Sequence, residues 1–573
     1  MHRSQETEVV VQELPVPSLD ETIERYLKVI SVLQNPQDHE KTTEKAAAFL
    51  AGPGPRCQER LVGYAHKQSE RGKSWLTDLW LDTYFEVKDP LQLVSNVAFQ
   101  ISWPDQLSGV ARAADFIQRI ASVHLEYLRG EMAVGVNARG SELTPTQWRF
   151  LAGGIRRPGA ERDTYQDGPR TSANRGIVVL HRNHAFSMAV SDHEGQPVGQ
   201  DAIAEGLQHI LEETTSEPGQ FTNLAHVGGP VAAELSEYRL RDSENRFVDA
   251  TVKDALFVID VAADAAGPAE QLHELAFGLE GIYAHKTTSY HFDLASSFVG
   301  VNLEHSVADG ATICDLVMRA KAIEPRAGAT LRNTVKPRAL RWRGDEHIAG
   351  RLEEKLADYR RGAAALKVEI LSVADVTASG VRLSHDAAMQ WLILYSQLAT
   401  WGSVRSTYEA VDMREFQAGR TESFRPHTAA AVEFCRALLA GSATAAQFEA
   451  AKAGHSDQVK AVKTGRGIER HLFALQAMAR QLRLDEDFFT DDGYQKLSEN
   501  FLSTTSLGVS EHIVRLTFAP SVPEGLGVNY TKTEDGYEFC LSYDAGAGPD
   551  MDAFKRNLVA GAAALNEFLG DIA

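Results

Sequence analysis

The sequence contains two successive sets of strand and helix patterns, and this repetition is the strongest constraint on its fold. The first set includes the apolar runs 176–181, 186–190 and 255–261, and the second set lies within 368–569. A segment rich in Arg, Pro and Gly, 325–350, separates them. Because 573 residues are too many for one hydrophobic core, we expect two large domains, with three as the alternative. The strand and helix patterns predict mixed sheets covered by helices.

An N-terminal helical region precedes these two sets. Ser18 and Glu21 form a capping-box pattern, and the residues that follow are apolar at helical spacing. The sequence therefore predicts an N-terminal helical segment at 1–90 that packs mainly on the C-terminal domain, a first domain at 91–340 and a second domain at 341–573.

The charge and the cysteines restrict the partners. A net charge of −20 argues against nucleic acid or an anionic membrane as a partner, because the long-range field would repel both. The four cysteines are scattered, without a CxxC or a His/Cys cluster, which is typical of a reducing compartment without structural disulfides or zinc. No apolar run has the length of a membrane span, and Met1–Glu8 lacks a secretory signal. We expect a soluble cytoplasmic protein.

One histidine has the sequence context of a catalytic base. The apolar run 298–301 leads into 302–310, Asn-Leu-Glu-His-Ser-Val-Ala-Asp-Gly, so a strand is predicted to deliver His305 to a turn. Imidazole suits general acid–base catalysis because its ordinary pKa lies near neutrality. The chain has 19 histidines, however, and a buried structural histidine is the alternative interpretation of this pattern alone.

Three later segments add a resemblance to this pattern. They are 406–422, which contains Tyr-Glu, Phe and Gly-Arg-Thr; 469–472, Glu-Arg-His-Leu; and 501–507, Phe-Leu-Ser-Thr-Thr-Ser-Leu, followed by 518–527. In this order, behind Leu-Pro-Val-Pro at 14–17, they resemble the choline/carnitine O-acyltransferase family over nearly the whole chain.

The resemblance implies a fold and a reaction. The fold is two chloramphenicol-acetyltransferase-like domains with an active-site tunnel between them. The expected activity moves a short or medium acyl group between acyl-CoA and the hydroxyl of carnitine. Both substrates are small molecules, no cofactor is tightly bound, no metal is used, and a monomer is expected.

The resemblance also implies residue roles. His305 is the general base and acid, and Tyr408, Thr421 and Arg470 match positions that bind the carnitine carboxylate. A guanidinium with two hydroxyls can make charge-assisted hydrogen bonds to a planar anion. Taken singly, Arg470 could form a surface ion pair and Tyr408 could be a core aromatic residue; their order in the chain favours the binding roles.

The Ser-Thr-Thr-Ser run allows two registers on the family's Ser-Thr-Ser pattern. Starting at Ser503 makes Thr505 the third position, whereas starting at Thr504 makes it Ser506. Counting from both flanking motifs favours the second register, with Ser506 as the hydrogen-bond donor to the tetrahedral oxyanion and Thr505 beside it. Phe518 matches an aromatic next to the trimethylammonium group.

Three further residues have implied roles. Asp309 is expected to pair with Arg420 and brace the turn of His305, without a part in proton transfer. In the favoured register, Leu516 occupies the position that closes the acyl pocket in short-chain enzymes. If the register slips by one residue, Arg515 would line the pocket instead.

The chain departs from the family in the region that binds the thioester donor. The family has lysines just before a Ser-Pro-Asp-Ala helix start, whereas here Asp386 is retained and only Arg382 is basic. Either CoA binds weakly, or the donor is a phosphopantetheine arm on an acyl carrier protein. The alternative function is then a biosynthetic acyltransferase with a carnitine-like or polyol acceptor. The tyrosine expected near 93–96 is also missing.

A third interpretation is a carnitine-binding protein without activity. The presence of both His305 and Ser506 argues against it.

Overall fold

A computed structural model describes residues 11–137, 139–263, 266–324, 336–377, 380–546 and 550–573. Their secondary structure is mixed α/β, with the following helices: α1 Leu19–Ile30, α2 Pro36–Ala51, α3 Gly54–Ser69, α4 Thr77–Phe85, α5 Gly109–Arg129, α6 Gln200–Glu213, α7 Gly229–Arg239, α8 Ser243–Asp254, α9 Pro268–Phe277, α10 Gly310–Ala322, α11 Ala349–Ala365, α12 His385–Trp401, α13 Ala429–Leu439, α14 Ala445–Lys463, α15 Glu469–Leu482, α16 Asp492–Ser498 and α17 Met551–Ile572. The predicted domain crossing at 325–350 begins with residues 325–335, which lie outside the described residues.

The strands belong to two large mixed sheets and one small hairpin. They are β1 Val97–Ile101, β2 Gly154–Arg157, β3 Thr164–Asp167, β4 Gly176–His181, β5 His184–Ala189, β6 Val258–Ala262, β7 Thr288–Asp293, β8 Val299–Leu303, β9 Arg338–Leu340, β10 Leu366–Ala374, β11 Thr407–Asp412, β12 Thr421–Phe424, β13 Leu502–Thr505, β14 Ile513–Phe518, β15 Leu526–Lys532 and β16 Gly536–Asp544. The predicted fold class, two mixed sheets covered by helices, is confirmed.

The chain divides into two compact units that are not contiguous in sequence. Among the described residues, unit one comprises 81–368 and 509–519, and unit two comprises 11–80, 369–508 and 520–573. The domain bounds predicted at 1–90, 91–340 and 341–573 stay a prediction.

Unit one is built on an eight-stranded sheet in the order β14-β1-β8-β7-β6-β4-β5-β9. Strands β4, β6 and β7 are mutually parallel, and β8 runs antiparallel to both β7 and β1. All five residues of β8 are buried, and the one polar residue among them, Asn302, donates its side-chain amide to the backbone carbonyl of Leu275 at 2.9 Å. Helix α5 supplies Phe116, whose ring contacts Tyr290 of β7 edge to face at 5.3 Å. This sheet carries the strand that ends just before His305.

Unit two is built on a six-stranded sheet in the order β10-β16-β15-β13-β11-β12, in which β11, β13 and β15 are parallel. Helix α12 begins where the Ser384 hydroxyl accepts the N–H of Ala387, and it packs with α17 through a buried apolar cluster that includes Trp391 and Phe554. Helices α1, α2 and α3 belong to this unit. Ser18 caps α1, and the ring of Tyr26 contacts Phe488 at 5.3 Å.

In the part of the chain that the structure describes, none of the helices has both the length and the apolar character that a bilayer crossing requires. The four cysteines are free thiols.

Candidate active site

His305 lies in the turn between β8 and α10. The strand ends at Leu303, and Asp309 is the N-cap of the helix. The imidazole is 20% exposed, and its Nδ1 lies 3.1 Å from the hydroxyl of Tyr84 and 3.5 Å from Asp309 Oδ1. Its ring stacks on Tyr84 at 5.7 Å with an interplanar angle of 10°. A hydrogen on Nδ1 would point at these oxygens, which leaves Nε2 as the basic nitrogen.

A buried amide holds Asp309 in place. Gln147 Nε2 donates to Asp309 Oδ2 at 2.8 Å, and the Asp309 backbone N–H donates to Gln147 Oε1 at 2.8 Å. The hydroxyl of Thr312 donates to the same amide oxygen at 2.7 Å. These contacts orient the carboxylate beside His305. Because Arg420 belongs to unit two, its predicted ion pair with Asp309 stays a prediction.

A fully buried ion-pair network lies under the His305 turn. Arg156 Nε pairs with Asp163 at 2.8 Å and its Nη1 pairs with Glu304 at 3.1 Å, and all three side chains are at most 1% exposed. Glu304 also accepts the Ser306 hydroxyl at 2.6 Å. Arg156 donates in addition to the backbone carbonyl of Tyr84. One guanidinium therefore fixes the backbone of Tyr84 and the residues on both sides of His305.

Arg470 is buried at the start of α15, where its guanidinium lies 3.8 Å from the ring centroid of Trp80. Its Nε donates to the backbone oxygen of Thr421 at 3.2 Å, and its backbone N–H donates to Glu422 at 3.2 Å. Burial raises the pKa of Glu422 to about 7. At 8% exposure, Arg470 does not form the surface ion pair that the sequence allowed as an alternative.

Tyr408 is connected to Arg470 by a chain of contacts. The guanidinium of Arg425 lies 5.8 Å from the ring centroid of Tyr408, and its Nε donates to Glu469 Oε2 at 3.0 Å. Glu469 Oε1 in turn lies 3.9 Å from Arg470 Nη1. The predicted set Tyr408, Thr421 and Arg470 therefore lies within one connected region of unit two.

The hydroxyl-rich segment 502–506 forms β13 and the first residue beyond it. Ser503 Oγ is 2.6 Å from Ser521 Oγ, and Thr504 Oγ1 donates to the Tyr408 carbonyl at 2.9 Å. Asn529 Nδ2 donates to the backbone oxygen of Thr505 at 3.2 Å. The hydroxyl of Ser503 therefore contacts the loop before β15, and the hydroxyl of Thr504 contacts β11.

Ser506 lies just past the end of β13 and is half-buried. The backbone N–H of Gly508 donates to Ser506 Oγ at 3.1 Å, a contact in which the hydroxyl hydrogen takes no part. Gly508 adopts φ +87°, a left-handed conformation that glycine accommodates without steric cost. This turn fixes the side chain of Ser506 while its O–H can serve as a donor.

Leu516 and Phe518 lie on β14, an edge strand of unit one's sheet. Leu516 pairs with Phe99 of β1 and is 2% exposed, whereas Phe518 is half-buried. Side chains two residues apart share a face of the strand, so both point to the same side. Arg515 points to the opposite side, where its Nη1 donates to Gln100 Oε1 at 2.7 Å.

The two residues predicted to bind the thioester donor differ in environment. Arg382 is exposed. Asp386 Oδ1 accepts the hydroxyl of Tyr530 at 2.7 Å, and its Oδ2 lies 2.9 Å from His455 Nε2. Burial opposes the charge of Asp386, but these two hydrogen bonds outweigh it and lower the pKa of the carboxyl. Both oxygens of Asp386 already have partners within unit two.

Several residues beside the predicted site residues were not expected from the sequence: Tyr84, Trp80, Gln147 and Arg156. The hydroxyl beside His305 belongs to Tyr84, in the helix that ends at Phe85. Glu304, adjacent to His305, is the one signal in the sequence, since a buried acid that is ionised needs a cation as its partner. Among the described residues, no three His, Cys, Asp or Glu side chains are grouped to hold a metal ion.

Known proteins of one family match this sequence over almost the whole chain. A family model described as Choline/Carnitine o-acyltransferase matches residues 14–560. The chain is 27% identical to peroxisomal carnitine O-octanoyltransferase from Mus musculus, an alignment that covers 95% of this chain and 93% of the relative. It is 23% identical to carnitine O-acetyltransferase from Homo sapiens, with 92% and 88% covered.

Among solved structures, the trichothecene 15-O-acetyltransferase of Fusarium sporotrichioides is similar at 10% identity and a TM-score of 0.40, with 85% of this chain and 94% of that chain covered. Because the family model spans nearly the whole sequence, the chain belongs to the choline/carnitine O-acyltransferase family and is an acyltransferase.

Proposed function

We propose that the enzyme moves a short or medium acyl group between acyl-CoA and the hydroxyl of carnitine. The observation that carries the proposal is His305, whose Nδ1 faces Tyr84 and Asp309 while its ring remains partly exposed. This arrangement leaves Nε2 to act as the base.

The proposed reaction needs one base and one oxyanion donor. His305 Nε2 removes the proton from the acceptor hydroxyl, and the alkoxide oxygen attacks the thioester carbonyl carbon. The hydroxyl of Ser506 donates to the resulting oxyanion. The tetrahedral intermediate then collapses, the C–S bond breaks, and the imidazolium of His305 protonates the departing thiolate. The enzyme itself is never acylated in this sequence.

Carnitine is proposed as the acceptor because of its carboxylate. Arg470 is a buried cation, and Thr421 and Tyr408 lie in the same connected region. The similar proteins are carnitine acyltransferases by name. Phe518 would contact the trimethylammonium group through its ring.

The proposed acyl length rests on Leu516. Its side chain is buried on β14. The family resemblance implies that a bulky residue at this position shortens the acyl pocket. The names of the similar proteins range from acetyl to octanoyl and palmitoyl, so they do not decide the length.

A second candidate function has a carrier-protein thioester as donor. It is favoured by the lack of lysines before α12 and by the engagement of both Asp386 oxygens with Tyr530 and His455. Acyl-CoA is the preferred donor because it is the family's co-substrate.

The experiment is a matrix of donors and acceptors read out by thiol release. The donors are acetyl-, octanoyl- and palmitoyl-CoA and an octanoyl carrier protein, and the acceptors are carnitine, choline and glycerol. We expect transfer from the two shorter CoA thioesters to carnitine, with a loss of about 10²–10⁴-fold in His305→Ala. Transfer only from the carrier protein would favour the second candidate, and full activity of His305→Ala would contradict both.

A further inference from the structure

Three buried side chains and one half-buried carboxylate form a cluster under one face of unit two's sheet. The Tyr530 hydroxyl of β15 lies 2.5 Å from Glu409 Oε2 of β11 and 2.7 Å from Asp386 Oδ1 of α12. His455 of α14 contacts the other oxygen of Asp386 at 2.9 Å. Glu409, Tyr530 and His455 are at most 7% exposed.

Counting hydrogens shows that the cluster holds an extra proton. A tyrosine has one hydroxyl hydrogen, but the Tyr530 oxygen is within hydrogen-bond distance of two carboxyl oxygens. If both carboxyls were ionised, one of these contacts would bring two oxygens together without a hydrogen between them. Such a contact is strongly unfavourable in a buried site, so one of the two carboxyls is protonated.

Glu409 is the carboxyl that carries this proton. Asp386 is 40% exposed and contacts His455, whereas the contacts described for Glu409 are with the uncharged Tyr530 and Gln390. Burial, together with the nearby charge of Asp386, raises the pKa of Glu409 to about 8. A protonated Glu409 donates to Tyr530, which then donates to Asp386.

Neighbouring basic groups do not supply a positive charge that would neutralise an ionised Glu409. Burial lowers the pKa of His427, near Gln390, to about 3, so this imidazole is neutral. Arg425 pairs with Glu469. Asp386 and Tyr530 are the titratable groups that act directly on Glu409, and His455 reaches it only through Asp386.

The cluster is tied to the strands of the candidate site. Glu409 and Thr504 are register partners, and Gln390 Nε2 lies 2.6 Å from Glu409 Oε2 and 3.0 Å from Thr504 Oγ1. Thr504 in turn donates to the carbonyl of Tyr408. Because side chains alternate along a strand, Tyr408 and Thr505 point to the opposite face from Glu409 and Thr504.

We propose that Glu409 is a positioning residue that holds a proton in the resting enzyme and thereby fixes β11 and β13. These strands carry Tyr408 and lead to Ser506, so the inference rests on their proposed roles. Its proposed action is through these strands. Loss of its proton places a second negative charge beside Asp386, which loosens the two strands at alkaline pH and lowers the rate of transfer.

The proton is tested by infrared spectroscopy, without any substrate. We expect a carboxylic-acid carbonyl band that disappears with an apparent pKa of about 8 and that is absent in Glu409→Gln. Glu369→Gln is the matched control, because Glu369 also bonds a tyrosine, Tyr543, but pairs with Lys555, and its pKa is lowered. A wild-type protein without such a titrating band would overturn the proposal.

The positioning role is tested by hydrogen exchange and by kinetics. Above pH 8, we expect the amides of 502–508 to exchange at least threefold faster in wild type than in Glu409→Gln at the same pH. In a plot of kcat against pH, the wild-type kcat should fall above about pH 8. The plot for Glu409→Gln should lack this alkaline limb. Equal exchange in the two proteins, or an unchanged alkaline limb in Glu409→Gln, would overturn the role. A wild type without carnitine transfer would refute the proposed function, whereas infrared and exchange would still decide this inference.

Discussion

Unit one and unit two each bury a glutamate beside a segment with a proposed catalytic role, but they neutralise it by different means. In unit one, the fully buried Glu304 next to His305 pairs with Arg156, which also pairs with Asp163. In unit two, Glu409 has an uncharged tyrosine and an uncharged amide as its partners. The guanidinium stays charged at every accessible pH, whereas a protonated carboxyl group loses its proton as the pH rises.

The difference predicts where pH acts on the enzyme. The ion pairs of Arg156 with Glu304 and Asp163, which lie under the His305 turn, should be insensitive to alkaline pH because Arg156 keeps its charge. The support under Tyr408 and the 502–506 segment should weaken as Glu409 loses its proton. An alkaline loss of activity would then originate in unit two.

Arg156→Met gives the largest expected change in stability. It leaves Glu304 and Asp163 buried without their cation, and breaking a buried pair in this way typically costs about 3–5 kcal/mol. Urea denaturation would measure the loss. The matched control is Arg157→Met, whose partner Asp249 is more exposed, with an expected loss of about 1 kcal/mol or less. Equal losses of stability in Arg156→Met and Arg157→Met would mean that the buried network of Arg156 contributes no more than an ordinary, partly exposed ion pair.

Ser506→Ala tests the segment that unit two's cluster supports. Loss of an oxyanion donor should lower kcat about 10²–10³-fold, or about 2.7–4 kcal/mol, with little change in the KM for carnitine. Thr505→Ala is the matched variant, since it tests the other register. A larger loss of kcat in Thr505→Ala would assign the oxyanion to that register.

Glu409→Gln changes the pH dependence of stability. The pKa of Glu409 is raised from 4.5 to about 8. In the window between these two pH values, the folded protein keeps a proton that the unfolded chain releases. Wild-type stability should therefore fall as pH rises through the window, by up to about 1.4 kcal/mol per pH unit, and level off above it. The advantage of Glu409→Gln should grow in the same window, as urea denaturation at several pH values would show. A pH-independent difference would mean that Glu409 is ionised in both states.

Tyr84→Phe gives the smallest expected effect. It removes the hydroxyl 3.1 Å from His305 Nδ1 but keeps the stacked ring. Loss of one such hydrogen bond is worth about 0.5–1.5 kcal/mol, so kcat should fall about two- to tenfold. Tyr238→Phe, at an exposed tyrosine, should leave kcat unchanged. A loss as large as that expected for His305→Ala would instead give Tyr84 a direct part in catalysis.

The local structure around His305 could be predicted from sequence because its signals are local. An apolar run followed by a polar segment predicts a strand that leads into a turn, as observed at 299–309. The fold class followed from two such sets of patterns. The roles of the site residues came from ordered motifs and stay predictions.

The supporting contacts could not be predicted because they join distant parts of the chain. Tyr84 and His305 are 221 residues apart, and Asp386 and Tyr530 are 144 residues apart. No local pattern specifies such pairs, since tertiary packing alone brings them together. A glutamate that keeps its proton also has the same sequence signature as any other glutamate.

The origin of β14 has a consequence for how the protein is made. Unit one's sheet pairs β1 with a strand from the far end of the chain, and Gln100 and Arg515 are 415 residues apart. During synthesis on the ribosome, the edge of β1 that pairs with β14 therefore stays unpaired until residue 513 and those after it have been made. Closing so long a loop carries a high contact order and slows folding. The part of unit one that carries Leu516 and Phe518 is thus assembled last, and a chain interrupted before residue 513 would expose a strand edge prone to aggregation.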